Sequence, residues 1–388
     1  MLIGKHRVED LMVEIFDCID DLDTHWWDNT FAAGHPFKTG GFMRASEEAF
    51  PQRQYRYLRL YAQDGGQPMG ILLATSEPLE LLAKAEWAQS VLRLLRGCWP
   101  GLGRQTVAML GSYETSGQHW WFSDAVPVAQ HMALATCALE LAFPRAGVRV
   151  IRDLTHDTPY VHIYHDDLRK TGFHAAANHP LTLIPMLGLR WTEHCQRLKT
   201  NCRKILSRMT LQYQQSGWHI VHHEGDHSEF DLLYELYLNT HRRAIEFKRD
   251  ALPKSFFQQV HKYCQSVFSV LRDPNDEVRA FIFSGVSESI IAPFAFGRDY
   301  QEDSGVNAYY ALHIDLIQKY SGSRTQYIDL GITNYFLKQN FGARLQRCDL
   351  YLKFKNPLIN KLLGPVITKR FSVTQVIERN VFKHDHSA

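Results

Sequence analysis

Near its carboxyl end the chain sets its apolar and polar positions in a regular order. Over 325–354, Tyr327, Ile328 and Leu330 form a short apolar run that stops at Gly331. Phe336, Leu337, Phe341 and Leu345 then recur at helical spacing, and Leu350, Leu352 and Phe354 alternate with Tyr351 and Lys353. These periods predict strand, short helix, strand, with Ile328 and Leu350 in a common sheet. The first strand ends in Asp329-Leu330-Gly331 and the helix carries Lys338. An acid and a base therefore flank a strand's carboxyl end, where open α/β sheets place their ligands.

A weaker copy lies upstream. The apolar run 148–154 ends in Asp153-Leu154 and is followed by LRKTGF (168–173) and the apolar run LTLIPML (181–187). Lys170 and Phe173 echo Lys338 and Phe341. A helical pattern precedes each copy, at 128–143 and 308–320. A hairpin pattern precedes each helix: YRYLRLYA and MGILLATS around Asp64-Gly65-Gly66, then VRAFIFSG and SIIAPFAFG around Ser287. The order hairpin, helix, strand, helix, strand occurs twice, which predicts an internal repeat.

Other segments read more simply. Residues 5–32 read as helical, with the Trp26-Trp27 pair as core, and 42–50 as a short helix stopped by Pro51. Extra material at 77–123 opens with a helical stripe of Leu79, Leu82, Trp87, Val91, Leu94 and Leu95 and closes with a polar surface loop, GSYETSGQHWW. One long helix is predicted over 190–215, stopped at Gly217 and carrying Arg197, Lys199, Arg203, Lys204 and Arg208. That face is either solvated or a phosphate-contacting surface. Residues 230–248 form an amphipathic helix with His241 between its faces. The tail from 356 carries Lys361, Lys369 and Arg370. Gly364-Pro365 interrupts it, so packing on the domain is expected rather than a membrane-surface helix.

The 388 residues suffice for two domains, and a formal net charge of +2 excludes strong whole-molecule steering to nucleic acid. Seven cysteines form no Cys-x-x-Cys pair, which points to a reducing compartment. No apolar run approaches the roughly 20 residues of a membrane span. The expectation is a soluble, cytoplasmic protein. His219, His222, His223 and His227 lack the fixed spacing of a ligand set, and no metal is expected.

The repeat order, the strand ending in Asp-Leu-Gly and the helix with Lys338-x-x-Phe341-Gly342 resemble the GNAT-type acyltransferases. More narrowly they resemble the bacterial Fem-like, BioF2-like branch, often two GNAT-like halves in one chain. LKTNCRKILSRM (198–209), LYLNTHRRA (236–244), YIDLG (327–331), LKQNFGA (337–343) and the His-Pro-Phe segment GHPFKTGGFMRASEEAF (34–50) carry that resemblance. It implies an α/β fold of two tandem GNAT-like domains, each a mixed, mostly antiparallel sheet flanked by helices. The halves fall at 1–187, with a helical insertion about 77–123, and at 188–388, the catalytic one.

The resemblance implies N-acyl transfer from an acyl thioester (acyl-CoA, acetyl-CoA or an acyl carrier protein) to an amine of a small-molecule or peptide-like acceptor. Two rivals stand beside it: an aminoacyl-tRNA-dependent aminoacyltransferase and a non-catalytic GNAT-like binding protein. Acetyl-CoA users carry an Arg/Gln-x-x-Gly-x-Gly/Ala pyrophosphate loop. Here 297–310 reads GRDYQEDSGVNAYY, acidic where phosphate would sit.

Asp329 is the candidate base or ammonium anchor, against a strand-end cap. Lys338 is the candidate contact for donor phosphate or acceptor carboxylate, against a surface lysine. Arg344 is a candidate bidentate clamp, and Arg203 and Lys204 candidate donor contacts. By resemblance, Tyr335 protonates the leaving group and His241 faces the acceptor groove.

Overall fold

The structure, a computed structural model, describes residues 1–63, 65–80, 104–224, 228–244, 250–301 and 305–383. The chain forms two compact units. The first comprises Met1–Phe31, Phe50–Asn178 and Arg347–Gln375; the second comprises Ala32–Ala49, His179–Gln346 and Val376–Ala388. The units interleave where the sequence suggested contiguous halves at 1–187 and 188–388.

The first unit holds strands β1 (Leu2–Val8), β2 (Leu11–Phe16), β3 (Gln54–Ala62), β4 (Gly70–Glu80), β5 (Arg104–Leu110), β6 (Trp120–Phe122), β7 (Val148–Thr155), β8 (His174–Ala177) and β16 (Cys348–Phe354). Its helices are α1 (Thr24–Trp27), α3 (Val128–Ala142), α4 (Val161–Lys170) and α11 (Pro357–Phe371). The strand order is β1-β2-β3-β4-β5-β7-β16-β8, with β6 on β4. Alternation along β5 explains the two layers. Ala108 and Leu110 face the α3–α4 side with Ala135, Leu139 and Leu168. Val107 and Met109 join Val148, Leu352, Phe354 and Ile367 of α11 on the other.

The second unit holds β9 (Leu181–Pro185), β10 (His219–His223), β11 (Ser266–Arg272), β12 (Val278–Val286), β13 (Ile290–Arg298), β14 (Tyr327–Asp329) and β15 (Arg344–Gln346). Its helices are α2 (Gly40–Ala49), α5 (Trp191–Arg197), α6 (Thr200–Gln215), α7 (Phe230–Arg243), α8 (Lys254–Tyr263), α9 (Ala308–Tyr320) and α10 (Tyr335–Asn340). The order is β10-β11-β12-β13-β14-β9-β15. Fully buried Phe341 seals its core with Tyr310, Ile314, Ile328 and Ile184. Such a ring contributes about 1.5–3 kcal/mol on burial.

The expectation that Ile328 and Leu350 share a sheet is corrected. Ile328 lies in the second unit's sheet and Leu350 in the first, because each repeat gives its last strand to the other sheet. β14 pairs antiparallel with β9, and β7 pairs antiparallel with β16. The topology is nevertheless shared: β5-β7-β16-β8 and β13-β14-β9-β15 have the same order, each with a parallel first pair. Side-chain alternation marks a strand's faces, and both strands offer the same faces to either slot.

Sheet position also shifts the repeat alignment. The counterpart of the β12–β13 hairpin is β4–β5, not β3–β4, so the extra material opens inside that hairpin. The helical stripe beyond Glu80 lies outside the described residues, as do His227, Lys248 and Arg249. The rest of 77–123 carries the end of β4, β5 and β6, and its polar loop is largely buried.

Three local readings change. Residues 5–32 begin as the β1–β2 hairpin, turned at Glu9 (φ 52°), with Leu11, Val13 and Ile15 alternating inward. The helix over 190–215 is two, because Leu198 is extended (ψ 150°), fully buried and bridged to Phe382. The tail helix α11 runs unbroken through Gly364-Pro365 and packs on the domain by Gly364, Ile367 and Thr368, while Leu358, Ile359, Leu362, Leu363 and Val366 face outward. No described helix is long and apolar enough to cross a membrane.

Candidate functional site

β13 runs to Arg298 but registers with β14 only at Ile290–Tyr327 and Ile291–Ile328. Beyond those pairs the strands have parted, with Asp329 ending β14. In the first unit the equivalent β5 stays beside β7 through its last residue, Leu110. The splay is thus a feature of the second sheet. It leaves one edge of β13 without a β14 partner, and backbone groups on such an edge require a ligand, water or side chain.

Asp329 sits at that fork. Its Oδ1 accepts the Gly331 N–H at 2.7 Å and its Oδ2 lies 3.1 Å from His35 Nε2. His35 Nδ1 accepts the Phe37 N–H at 3.1 Å, so Nε2 carries the proton and donates it to the carboxylate. Burial pushes the His35 pKa down, which keeps the ring neutral. Burial pushes Asp329 up, yet the His35 hydrogen bond and the Gly331 N–H outweigh it, and the carboxyl lies below its usual range.

The segment that delivers His35 is pinned at several points. Ser287 Oγ donates to Gly34 O at 2.7 Å, and Gly34 has φ +80° with Ser289 Oγ 2.6 Å from where a Cβ would lie. Phe37 packs on Phe294 at 4.9 Å, and Phe42 of α2 packs edge-on against Phe256 of α8 at 5.8 Å. The neutral imidazole is therefore positioned before any ligand arrives.

After Asp329 the chain makes a strained loop. Gly331, Thr333 and Asn334 have φ of +68°, +66° and +50°. The two non-glycines cost about 1–3 kcal/mol each unless their surroundings hold them. Lys338 is one holder: it is 4% exposed, and its Nζ donates to Ile332 O. The ammonium expected to meet a donor phosphate thus braces the loop from inside. Tyr335 opens α10 with its hydroxyl 3.3 Å from His179 Nδ1.

The remaining candidates stand on other elements. The Arg344 guanidinium, at the start of β15, lies 5.3 Å from the Phe382 ring. His241 is in the last turn of α7, tilted against Tyr237 at 6.0 Å. On α6, Arg203 donates to Thr200 Oγ1 at 3.4 Å and Lys204 is exposed. Asp329, Tyr335 and Lys338 therefore share one strand–loop–helix, and His241, Arg203 and Lys204 belong to separate helices.

Sequence reasoning missed His35, His179 and Arg379 as site residues. Arg379 donates to Asn340 Oδ1 at 2.8 Å, and Asn340 donates to the Tyr310 hydroxyl at 2.8 Å. The His-Pro-Phe motif was visible, but nothing local tied it to Asp329. The repeat partner of Asp329 differs: Asp153 is buried, accepting from Arg152 Nε at 2.9 Å, Gly117 N at 3.1 Å and Asn178 Nδ2 at 2.7 Å. Its charge is spoken for within the protein.

No family model and no curated protein sequence matches the chain. Solved structures do. FemX is similar at a TM-score of 0.60 and 11% identity, covering 88% of this chain and 98% of that one. L-PGS from Bacillus licheniformis gives 0.50 and 12% over 89% and 96%. A tandem GNAT protein from the clavulanic acid biosynthesis pathway gives 0.50 and 10% over 89% and 99%. The fold is that of FemX and of the tandem GNAT proteins.

Proposed function

We propose that the chain is an acyltransferase that moves an acyl group from an activated donor to an amine, with the reaction in the second unit. The observation that carries this reading is the β13–β14 splay with the His35–Asp329 pair at its fork. A donor in the cleft hydrogen-bonds to the open β13 edge, which aligns its carbonyl with the incoming nitrogen. Asp329, ionised and lowered in pKa, is a weak proton acceptor and a strong anchor. Its role is to hold the acceptor's ammonium near the donor until that group gives a proton to solvent and the free amine attacks the carbonyl, the donor's thiolate or hydroxyl leaving. Tyr335, whose hydroxyl lies 3.3 Å from His179 Nδ1, is the proton donor we assign to the leaving group. The donor class read first is an acyl thioester such as acyl-CoA or acetyl-CoA, or an acyl carrier protein.

An aminoacyl-tRNA donor is the second reading. The basic face of α6, with Arg203, Lys204 and Arg208, favours it, as does the carboxyl-terminal strap that brings Arg379 beside Asn340. A thermal-shift screen with acetyl-CoA, longer acyl-CoAs and an aminoacyl-tRNA separates the donors, with mass spectrometry of any acylated amine as the readout of turnover. Stabilisation by one donor class together with acyl transfer supports the enzyme. Stabilisation by none and no product replaces it with a non-catalytic binding protein.

A further inference from the structure

His156, His165 and Asp349 come from three elements of the first unit that no sequence spacing links. His156 directly follows β7, and its backbone N–H donates to Arg347 O at 2.8 Å. Asp349 lies on β16, in register with Leu154 of β7 and Ala177 of β8. His165 stands mid-way along α4. Asp349 Oδ2 is 3.2 Å from His156 Nε2 and 3.9 Å from His165 Nδ1, and all three atoms lie within 4.8 Å of one another.

From this geometry we infer that the three side chains bind one divalent transition-metal ion of the zinc class. Bonds of about 2.1 Å in a tetrahedral site set ligand atoms about 3.4 Å apart. The two measured separations bracket that edge, and the third is no more than 4.8 Å. The donor set, two imidazoles and one carboxylate, matches borderline metals and is poor for calcium or magnesium, which prefer all-oxygen shells. Tyr351 is fully buried with its hydroxyl against His165 Nδ1, so metal entry exchanges that hydrogen bond for a bond to the ion and leaves the hydroxyl turned away from the nitrogen lone pair. His156 keeps 44% side-chain exposure, so the fourth position opens to solvent.

The test uses the full-length protein, stripped of metal with a chelator and titrated with zinc against a chromophoric competitor, with cobalt as a spectroscopic probe. One zinc per chain is expected, with a cobalt d–d band of four-coordinate type. His156→Ala and Asp349→Asn should each weaken binding on the order of 100-fold or more, beyond the 10–100-fold of an outer-shell change. His219→Ala, on β10 of the other unit, should leave it intact. His156 is exposed, so its variant should fold whatever becomes of variants at the partly buried His165 and Asp349. Absence of stoichiometric zinc, or affinity unchanged in both His156→Ala and Asp349→Asn, overturns the assignment.

Discussion

His35 and Asp329 lie 294 residues apart in sequence and are joined by a 3.1 Å hydrogen bond in which a neutral imidazole donates to a carboxylate. The donor's other nitrogen is occupied by the Phe37 N–H, so the ring has no free lone pair with which to act as a base. Removing it strands a buried charge. His35→Ala is expected to cost about 1–3 kcal/mol, the penalty of an unsatisfied buried acceptor, and to raise the pKa of Asp329. Urea unfolding at neutral pH checks the first and a pH titration of stability the second. An unchanged unfolding midpoint would remove the pair from the account.

If Asp329 anchors an ammonium instead of taking a proton, its effect belongs to binding. Asp329→Asn should raise KM for the amine acceptor about tenfold or more, roughly 1.4 kcal/mol. The pH at which the rate rises should be left in place. Asn keeps an oxygen for the Gly331 N–H but sets its amide N–H against His35 Nε2–H, so the variant should lose about 1–3 kcal/mol of stability and KM is read on the folded fraction. A fall in kcat with KM unchanged would instead make Asp329 the base.

Much of the fold is legible from pattern alone, and the largest failures share a cause. The strand at Tyr327–Asp329, the helix at Ala308–Tyr320 and the β12–β13 hairpin lie where periodicity puts them, because each has a face that must be buried. What periodicity omits is partner choice. β9 and β16 are both short apolar strands, and nothing in their alternation says that they trade sheets. Partner choice also hid the site: Asp329 was readable from its strand-end position, whereas His35 meets it because the 32–49 segment belongs to the second unit. Lys338 was readable as a cation on a short helix but not as buried, since one turn of helix cannot show which way a long side chain folds.

Buried neutral imidazoles make stability depend on pH in a stated direction. His35, His194 and His313 are all lowered by burial, His194 to about 4 and His313 to about 3. Between those values and the unfolded pKa of about 6.5 the unfolded chain binds more protons, so stability rises with pH. Their contribution is complete above about pH 6.5 and is lost as the pH falls through the folded values. At about 1.4 kcal/mol per pH unit, His194 alone accounts for about 3 kcal/mol between pH 6.5 and 4. Urea midpoints measured from pH 7 to 4 should fall steadily, and His194→Gln should flatten the curve. A flat wild-type profile would contradict the burial of these rings.

The two faces of α11 should respond oppositely to substitution. Ile367 is 6% exposed and packs with Val107, Val148 and Phe354, whereas Leu362 is 69% exposed. Ile367→Ala should cost about 2–5 kcal/mol, the range for emptying a buried aliphatic site. Leu362→Ser should stay within about 0.5 kcal/mol, as surface substitutions do. Gly364 sets how closely the helix lies, because a Cβ there would run into the His174 ring. Gly364→Ala should therefore destabilise, although alanine is the better helix former by about 1 kcal/mol. Chemical unfolding of the three variants decides the point. If Leu362→Ser proves as damaging as Ile367→Ala, the helix does not pack by the Gly364–Ile367–Thr368 face.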